Sequence, residues 1–184
     1  MSKYLYQCDY QFISEQLRNE LIHHVHTATD FHKNVSPKGI YDGNNVKRVP
    51  LDLFPKIADM VNNCRFKTIA YLFKHMPHVE VPRHVDGTRY GVPRQVSLVI
   101  PLSPKVYPPT YYWDSYESEN YVDVVRTDER MLPHVINLQE IHSLVNTSDE
   151  IRSNLQFSFD ESLEVLVEAI KNKTLFKNIS EMSL

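Results

Sequence analysis

In residues 14–28 the apolar positions Leu17, Leu21, Ile22, Val25 and Ala28 recur at helical spacing, with Ser14 placed to cap the first turn. The spacing predicts an amphipathic helix packed on something larger. Residues 30–50 carry Asn, Gly, Pro and Lys with little periodicity and read as a loop. A second helix is expected from Asp52, tolerating Pro55 in its first turn and burying Phe54, Ile57, Met60 and Val61. Beyond Phe66 the period changes to two. Segments 68–74, 79–85, 95–102, 123–126, 141–146 and 153–159 are short, rich in β-branched or aromatic side chains, and read as strands. Turn-forming clusters at 76–78, 87–93, 103–109 and 146–149 separate them. Short strands so spaced predict an antiparallel sandwich or barrel. Helical spacing returns with Leu163, Leu166, Val167 and Ile170, behind Asp160 or Ser162 as cap. The whole reads as one domain, 1–184, mainly β with flanking helices: helical support at 1–65, a β core at 66–160 and a C-terminal helix at 161–184.

Composition narrows the function classes. A chain of 184 residues supports a core without staples. A formal net charge of −3 gives no reason to expect a nucleic-acid partner. Cys8 and Cys64 form no CxxC pair and are read as reduced thiols of a cytoplasmic protein. Residues 1–10 lack the apolar run of a signal peptide, and no stretch approaches the roughly 20 apolar residues that span a bilayer. With only four glycines and no phosphate-cradling motif, nucleotide-dependent chemistry is disfavoured. No nucleophile elbow surrounds any Ser or Cys.

The chemistry concentrates in Val81-Pro-Arg-His-Val-Asp-Gly-Thr88. His84 and Asp86 are two apart, so on a strand both side chains leave one face. An imidazole and a carboxylate so placed are two thirds of a 2-His-1-carboxylate set, which leaves open positions on Fe(II). In a chain with nine histidines such a pair also arises by chance, as a surface His beside a turn Asp. A second segment adds weight: His142 sits on an apolar strand, and Arg152 follows ten residues later, opening an alternating run with Asn154, Gln156 and Ser158 on its face. An inward Arg calls for an anion, and guanidinium grips a carboxylate through two parallel hydrogen bonds.

In these residues the chain resembles the 2-oxoglutarate and Fe(II)-dependent oxygenase superfamily, whose motif is HxD…H with an Arg about ten residues after the second His. His84-Val-Asp86, His142 and Arg152 match it in order and spacing. Within the superfamily, Met76-Pro-His-Val-Glu-Val-Pro-Arg-His84 and Gln95-Val-Ser-Leu-Val-Ile-Pro101 are similar to the aspartyl/asparaginyl β-hydroxylase-like group. The likeness covers roughly residues 66–160. Two departures stand out: Asp86 is present where some members of that group lack the carboxylate, and His78 replaces the usual glycine of the turn before the first His.

The resemblance implies a double-stranded β-helix, a jelly-roll or cupin-like core. It implies iron on His84, Asp86 and His142, with the distal carboxylate of 2-oxoglutarate on Arg152. O2 would then be consumed, 2-oxoglutarate converted to succinate and CO2, and an amino-acid side chain, free or within a peptide, hydroxylated. Tyr71, Lys74, Gln95 and Ser97 occupy positions from which the superfamily often touches its cosubstrate, and Asn154 and Ser97 face the expected barrel interior. Core packing is the competing reading for Tyr71.

Other candidates have plainer readings. Arg83, Arg89 and Arg94 could recognise an acidic substrate or form a solvated rim. His23, His24 and His26 diverge around a helix, and His75, His78 and His134 have no assigned role. The aromatic, acidic segment 107–121 could be a substrate lid or a packed loop. Two competing functions remain: a cupin-like metal-binding or sensing protein without oxidation, and a metal-free β-sandwich module. The first has no need of Arg152.

Overall fold

The computed structural model describes residues 2–36, 39–87, 94–103, 107–127 and 130–177. Through them the chain runs β1 (Leu5–Gln7), α1 (Glu15–Thr27), β2 (His32–Ser36), β3 (Gly39–Arg48), α2 (Pro55–Asn62), β4 (Ile69–His75) and β5 (Glu80–His84). It continues with β6 (Val96–Ser103), β7 (Tyr107–Tyr112), β8 (Asp123–Thr127), β9 (His134–Asn137), β10 (His142–Val145), β11 (Arg152–Phe159) and α3 (Leu163–Lys171).

Two antiparallel sheets result, a major one ordered β1-β9-β6-β11-β4-β3-β2 and a minor one ordered β5-β10-β7-β8. This is the jelly-roll, double-stranded β-helix architecture. Strand β11 lies at the centre of the major sheet and is buried along its whole length. Its alternation sorts the two sides. Leu155, Phe157 and Phe159 join the large apolar core with Leu98 and Ile100 of β6 and the inward faces of all three helices. Arg152, Asn154 and Gln156 face the space between the sheets and line a cavity there. Burying residues such as Leu21, Ile57 and Leu166, each fully inaccessible, stabilises the helix layer by roughly 1.5–3 kcal/mol per side chain.

Local chemistry sets the helix ends. Ser14 and Ser162 accept from the backbone N–H groups of Leu17 and Val165, so the cap of α3 is Ser162 and not Asp160. Helix α2 starts at Pro55, three residues later than expected, because proline's fixed φ suits the first helical position.

Three expectations are corrected. Residues 30–50 are not a loop: β2 and β3 form a hairpin that extends the major sheet, so segment 1–65 supplies strands as well as helices. The apolar-in pattern is missing there because Asn34 and Asn44 face a polar cavity. Second, β7 occupies what reads as a turn and the start of a lid; its Pro108-Pro109 pair falls within a register shift against β8, where ladder bonds are interrupted. Third, β9 escapes notice because it is only four residues long and follows Pro133.

Two backbone positions matter for the site. Gly43 has φ +81°, and a Cβ there would collide with the Val79 side chain, so only glycine lets β3 approach the turn before β5. His78 sits in the left-handed region at φ 57°, where glycine would be cheaper, and its Nε2 pairs with Asp149 Oδ1 at 2.9 Å. No described helix is long and apolar enough to cross a membrane. Both cysteines are free thiols; burial pushes Cys8 up to about 12 and Cys64 up to about 11, which keeps them protonated and unreactive.

Candidate metal centre

Histidines 84 and 142 are brought together by strand pairing. His84 ends β5, His142 begins β10, and the two are directly opposed in the antiparallel register, with ring centroids 4.4 Å apart. Asp86 lies beyond the end of β5, so the shared-strand-face argument does not place it. Its backbone does: the Asp86 N–H donates to the Leu138 carbonyl at 2.9 Å, and Gln139 Nε2 donates to the carbonyls of both Asp86 and Arg94. The carboxylate then straddles the imidazoles, with Oδ1 3.9 Å from His84 Nε2 and Oδ2 3.9 Å from His142 Nε2.

The tautomers follow from the partners. His84 Nδ1 lies 2.7 Å from the Pro82 carbonyl and His142 Nδ1 lies 2.9 Å from the Glu140 carbonyl. A carbonyl only accepts, so each Nδ1 carries the hydrogen and each Nε2 presents its lone pair to the centre. Burial, then the neighbouring His84, lowers the His142 pKa to about 4, so its ring is neutral and available as a ligand at physiological pH. The three ligand atoms all lie within 4.8 Å of one another. Two imidazoles with their outer nitrogens fixed by carbonyls, together with a carboxylate, fit a divalent transition metal.

Arg94, read from the sequence either as a contact for an acidic substrate or as part of a solvated rim, is neither exposed nor at a rim: it pairs with Asp86. It is 3% exposed, with Nη1 3.1 Å from Asp86 Oδ1. Its Nε donates to Ser158 Oγ at 3.3 Å, and Ser158 is hydrogen-bonded to Ser97 at 2.9 Å. Arg83 instead stacks 3.5 Å from the Trp113 ring centroid and donates to the Tyr116 carbonyl, pinning the loop after β7. Arg89 lies outside the described residues.

The triad opens on a cavity of ≈ 60 Å³ between the sheets. Val81, Val99, Ile136, Leu138 and Leu144 supply its apolar wall, and Arg152, His75, His134, Asn154 and Gln156 supply much of its polar lining. Arg152 is buried and donates from Nη2 to Thr110 Oγ1 at 3.1 Å. Its charge is felt by two histidines: burial first, and Arg152 second, hold His134 at about 3 and His75 well below the usual range. Asp86 is the one acidic side chain among the described residues lining the cavity.

Of the other candidates, Asn154 lines the cavity whereas Tyr71 and Ser97 do not. Tyr71 packs with Val46 and Phe73, and Ser97 reaches Arg94 only through Ser158. Lys74 lies over the Phe31 ring, and Gln95 bonds Asp160. His24 packs edge-on against Phe54. Sequence reasoning missed Asn34, Asn44, His75, Thr110 and His134 as cavity residues. A signal existed for His75, since the alternation Tyr71, Phe73, His75 continues one residue past the expected strand end.

No protein-family model and no curated protein sequence matches the chain. Solved structures do match in fold. The chain is similar to a prolyl-4-hydroxylase from Pseudomonas putida, with TM-score 0.56 and 12% identity over 86% of this chain and 92% of that one. It is similar to a Trichoplax adhaerens prolyl hydroxylase solved with a hypoxia-inducible-factor peptide fragment, with TM-score 0.59 and 13% identity over 90% and 87%. A third is SnoN, a non-haem α-ketoglutarate-dependent epimerase from nogalamycin biosynthesis, with TM-score 0.58 and 10% identity over 84% and 75%. At such identities the likeness establishes the fold: a double-stranded β-helix of the kind found in 2-oxoglutarate and Fe(II)-dependent enzymes.

Proposed function

We propose that the protein is an Fe(II)- and 2-oxoglutarate-dependent dioxygenase that hydroxylates an amino-acid side chain, free or within a peptide. The observation that carries this reading is the convergence of His84, Asp86 and His142 at a cavity that also holds a buried arginine, Arg152. A site built only to hold metal has no use for that arginine.

His84 Nε2, His142 Nε2 and the Asp86 carboxylate would hold the iron. The chemistry that Fe(II) supplies when bound is activation of O2, used to convert 2-oxoglutarate to succinate and CO2 and to hydroxylate a substrate C–H bond. Arg152 binds the distal carboxylate of 2-oxoglutarate, its guanidinium oriented by Thr110. Arg94 keeps the Asp86 carboxylate turned toward the histidines. Val99, Ile136, Leu138 and Leu144 give the cavity an apolar wall that would keep bulk water from the bound cosubstrate.

For the substrate we favour an Asp, Asn or similar side chain, on the likeness of segments 76–84 and 95–101 to the aspartyl/asparaginyl β-hydroxylase-like group. The Trichoplax adhaerens neighbour, solved in complex with a peptide fragment, supports testing peptides alongside free amino acids. The reading is tested by Fe(II)-dependent formation of succinate from 2-oxoglutarate under air. Succinate should form with wild type and be lost in His84→Ala and His142→Ala. Full activity in either variant would sink the ligand assignment.

A further inference from the structure

Asn44 on β3, His75 on β4 and Arg152 on β11 stand at one level across the major sheet, because His75 is the register partner of both the others. All three are buried, and all three line the cavity. Two atoms in this row are shut off from solvent and make no hydrogen bond: His75 Nδ1 and Asn44 Oδ1. A buried polar atom left so is costly, and two in one row call for a cause.

The surroundings narrow the cause. The His75 ring is held by Phe73, whose plane lies within 15° of it at 6.0 Å. The His75 carbonyl accepts from Asn146 Nδ2, so the backbone here is anchored as well. Arg152 and a second neutral histidine, His134, are the charged and titratable groups that bear on this end of the cavity. No acidic side chain but Asp86 lines the cavity among the described residues. An idle imidazole nitrogen beside a guanidinium, in a wall without a second acid, is one hydrogen-bond acceptor short of completion.

We propose that His75 is a second anchor for the far carboxylate of the cosubstrate, donating from Nδ1–H to the carboxylate that Arg152 grips. This inference rests on the oxygenase reading above. Asn44 stands beside it in the same row, and its amide, turned over, presents an NH2 to the same ligand end. The ligand class is a 2-oxo acid with a second carboxylate, one end on the metal ligands and the other on the Asn44–His75–Arg152 row.

The test is anaerobic calorimetry on Fe(II)-loaded protein with two probes. 2-Oxoglutarate carries both ends; pyruvate keeps the 2-oxo acid and lacks the far carboxylate. In His75→Phe, the 2-oxoglutarate Kd should rise about tenfold, while the Kd values for pyruvate and Fe(II) stay within about twofold. In His75→Gln, whose amide can donate, part of the 2-oxoglutarate affinity should return, and this variant serves if the phenylalanine variant does not fold. An unchanged 2-oxoglutarate Kd in the folded variants, or equal weakening of both acids, overturns the anchor and leaves the oxygenase reading standing. Failure of wild type to bind 2-oxoglutarate at all overturns both.

Discussion

Replacing Asp86 should damage the fold before any metal is considered. The Arg94 guanidinium is 3% exposed and lies 3.1 Å from the Asp86 carboxylate, whose own side chain is 16% exposed. Removing one partner of a buried pair costs about 3–5 kcal/mol, because the other charge stays buried without its counter-ion. Ser158 still accepts from Arg94 Nε, and the pair is open to solvent on the Asp86 side, so the lower end applies: about 3 kcal/mol for Asp86→Ala. With a urea m-value of roughly 2 kcal/mol/M for a chain of this size, the midpoint should fall by about 1.5 M. Arg94→Met should cost less, about 1–2 kcal/mol, since the Asp86 carboxylate is partly solvated already. The double variant should then be more stable than the sum of the singles by at least about 1.5 kcal/mol. The assay is equilibrium urea unfolding of the four proteins in excess chelator. A midpoint for Asp86→Ala close to wild type, or strict additivity in the cycle, would refute the claim that Arg94 is held by Asp86.

Further outcomes follow from other parts of the site. Arg152→Ala should raise the 2-oxoglutarate Kd about 100-fold, or about 2.7 kcal/mol, with Fe(II) affinity unchanged; an unchanged 2-oxoglutarate Kd would move the carboxylate anchor elsewhere. Asn146 donates to the carbonyls of His75, Met76 and Glu150 and accepts from Ser148, so Asn146→Ala should cost about 2–4 kcal/mol in the same unfolding assay. A loss below about 1 kcal/mol would show that the turn holds without it. Metal-free stability should also depend on pH. His142 at about 4, His134 at about 3 and His75 well below its usual value are neutral when folded, so the unfolded chain binds more protons below about 6.5. Stability should therefore be full above pH 6.5 and fall as the pH drops toward 5, by up to about 1.4 kcal/mol per unit for each histidine. A flat profile between pH 7 and 5 would contradict the neutral assignment.

What was readable in the chain, and what was not, divides along the polarity of the cavity. The alternation opening at Arg152 is legible because one face of β11 is apolar and packs against helices, while the other is polar and faces the cavity. The His84, Asp86 and His142 set is legible as a spacing pattern, although Asp86 reaches the centre through its bond to Leu138 and not through strand periodicity. Strands β2 and β3 are hidden because Asn34 and Asn44 point inward, which inverts the pattern that marks a half-buried strand. Strand β7 is hidden by its prolines. The burial of Arg94 is hidden because nothing local shows that its partner is Asp86, eight residues back. His75 and His134 become cavity residues only once register sets them near Arg152, a long-range fact that no window of sequence contains.

The most direct test of the central claim is anaerobic titration of Fe(II) and 2-oxoglutarate into metal-free protein, following the weak visible charge-transfer band of the chelate. A band is expected that needs both components, vanishes in His84→Ala, and in Arg152→Ala appears only at much higher 2-oxoglutarate. Folded protein that binds Fe(II) yet gives no band with 2-oxoglutarate would contradict the oxygenase assignment and favour a cupin-like metal-binding protein.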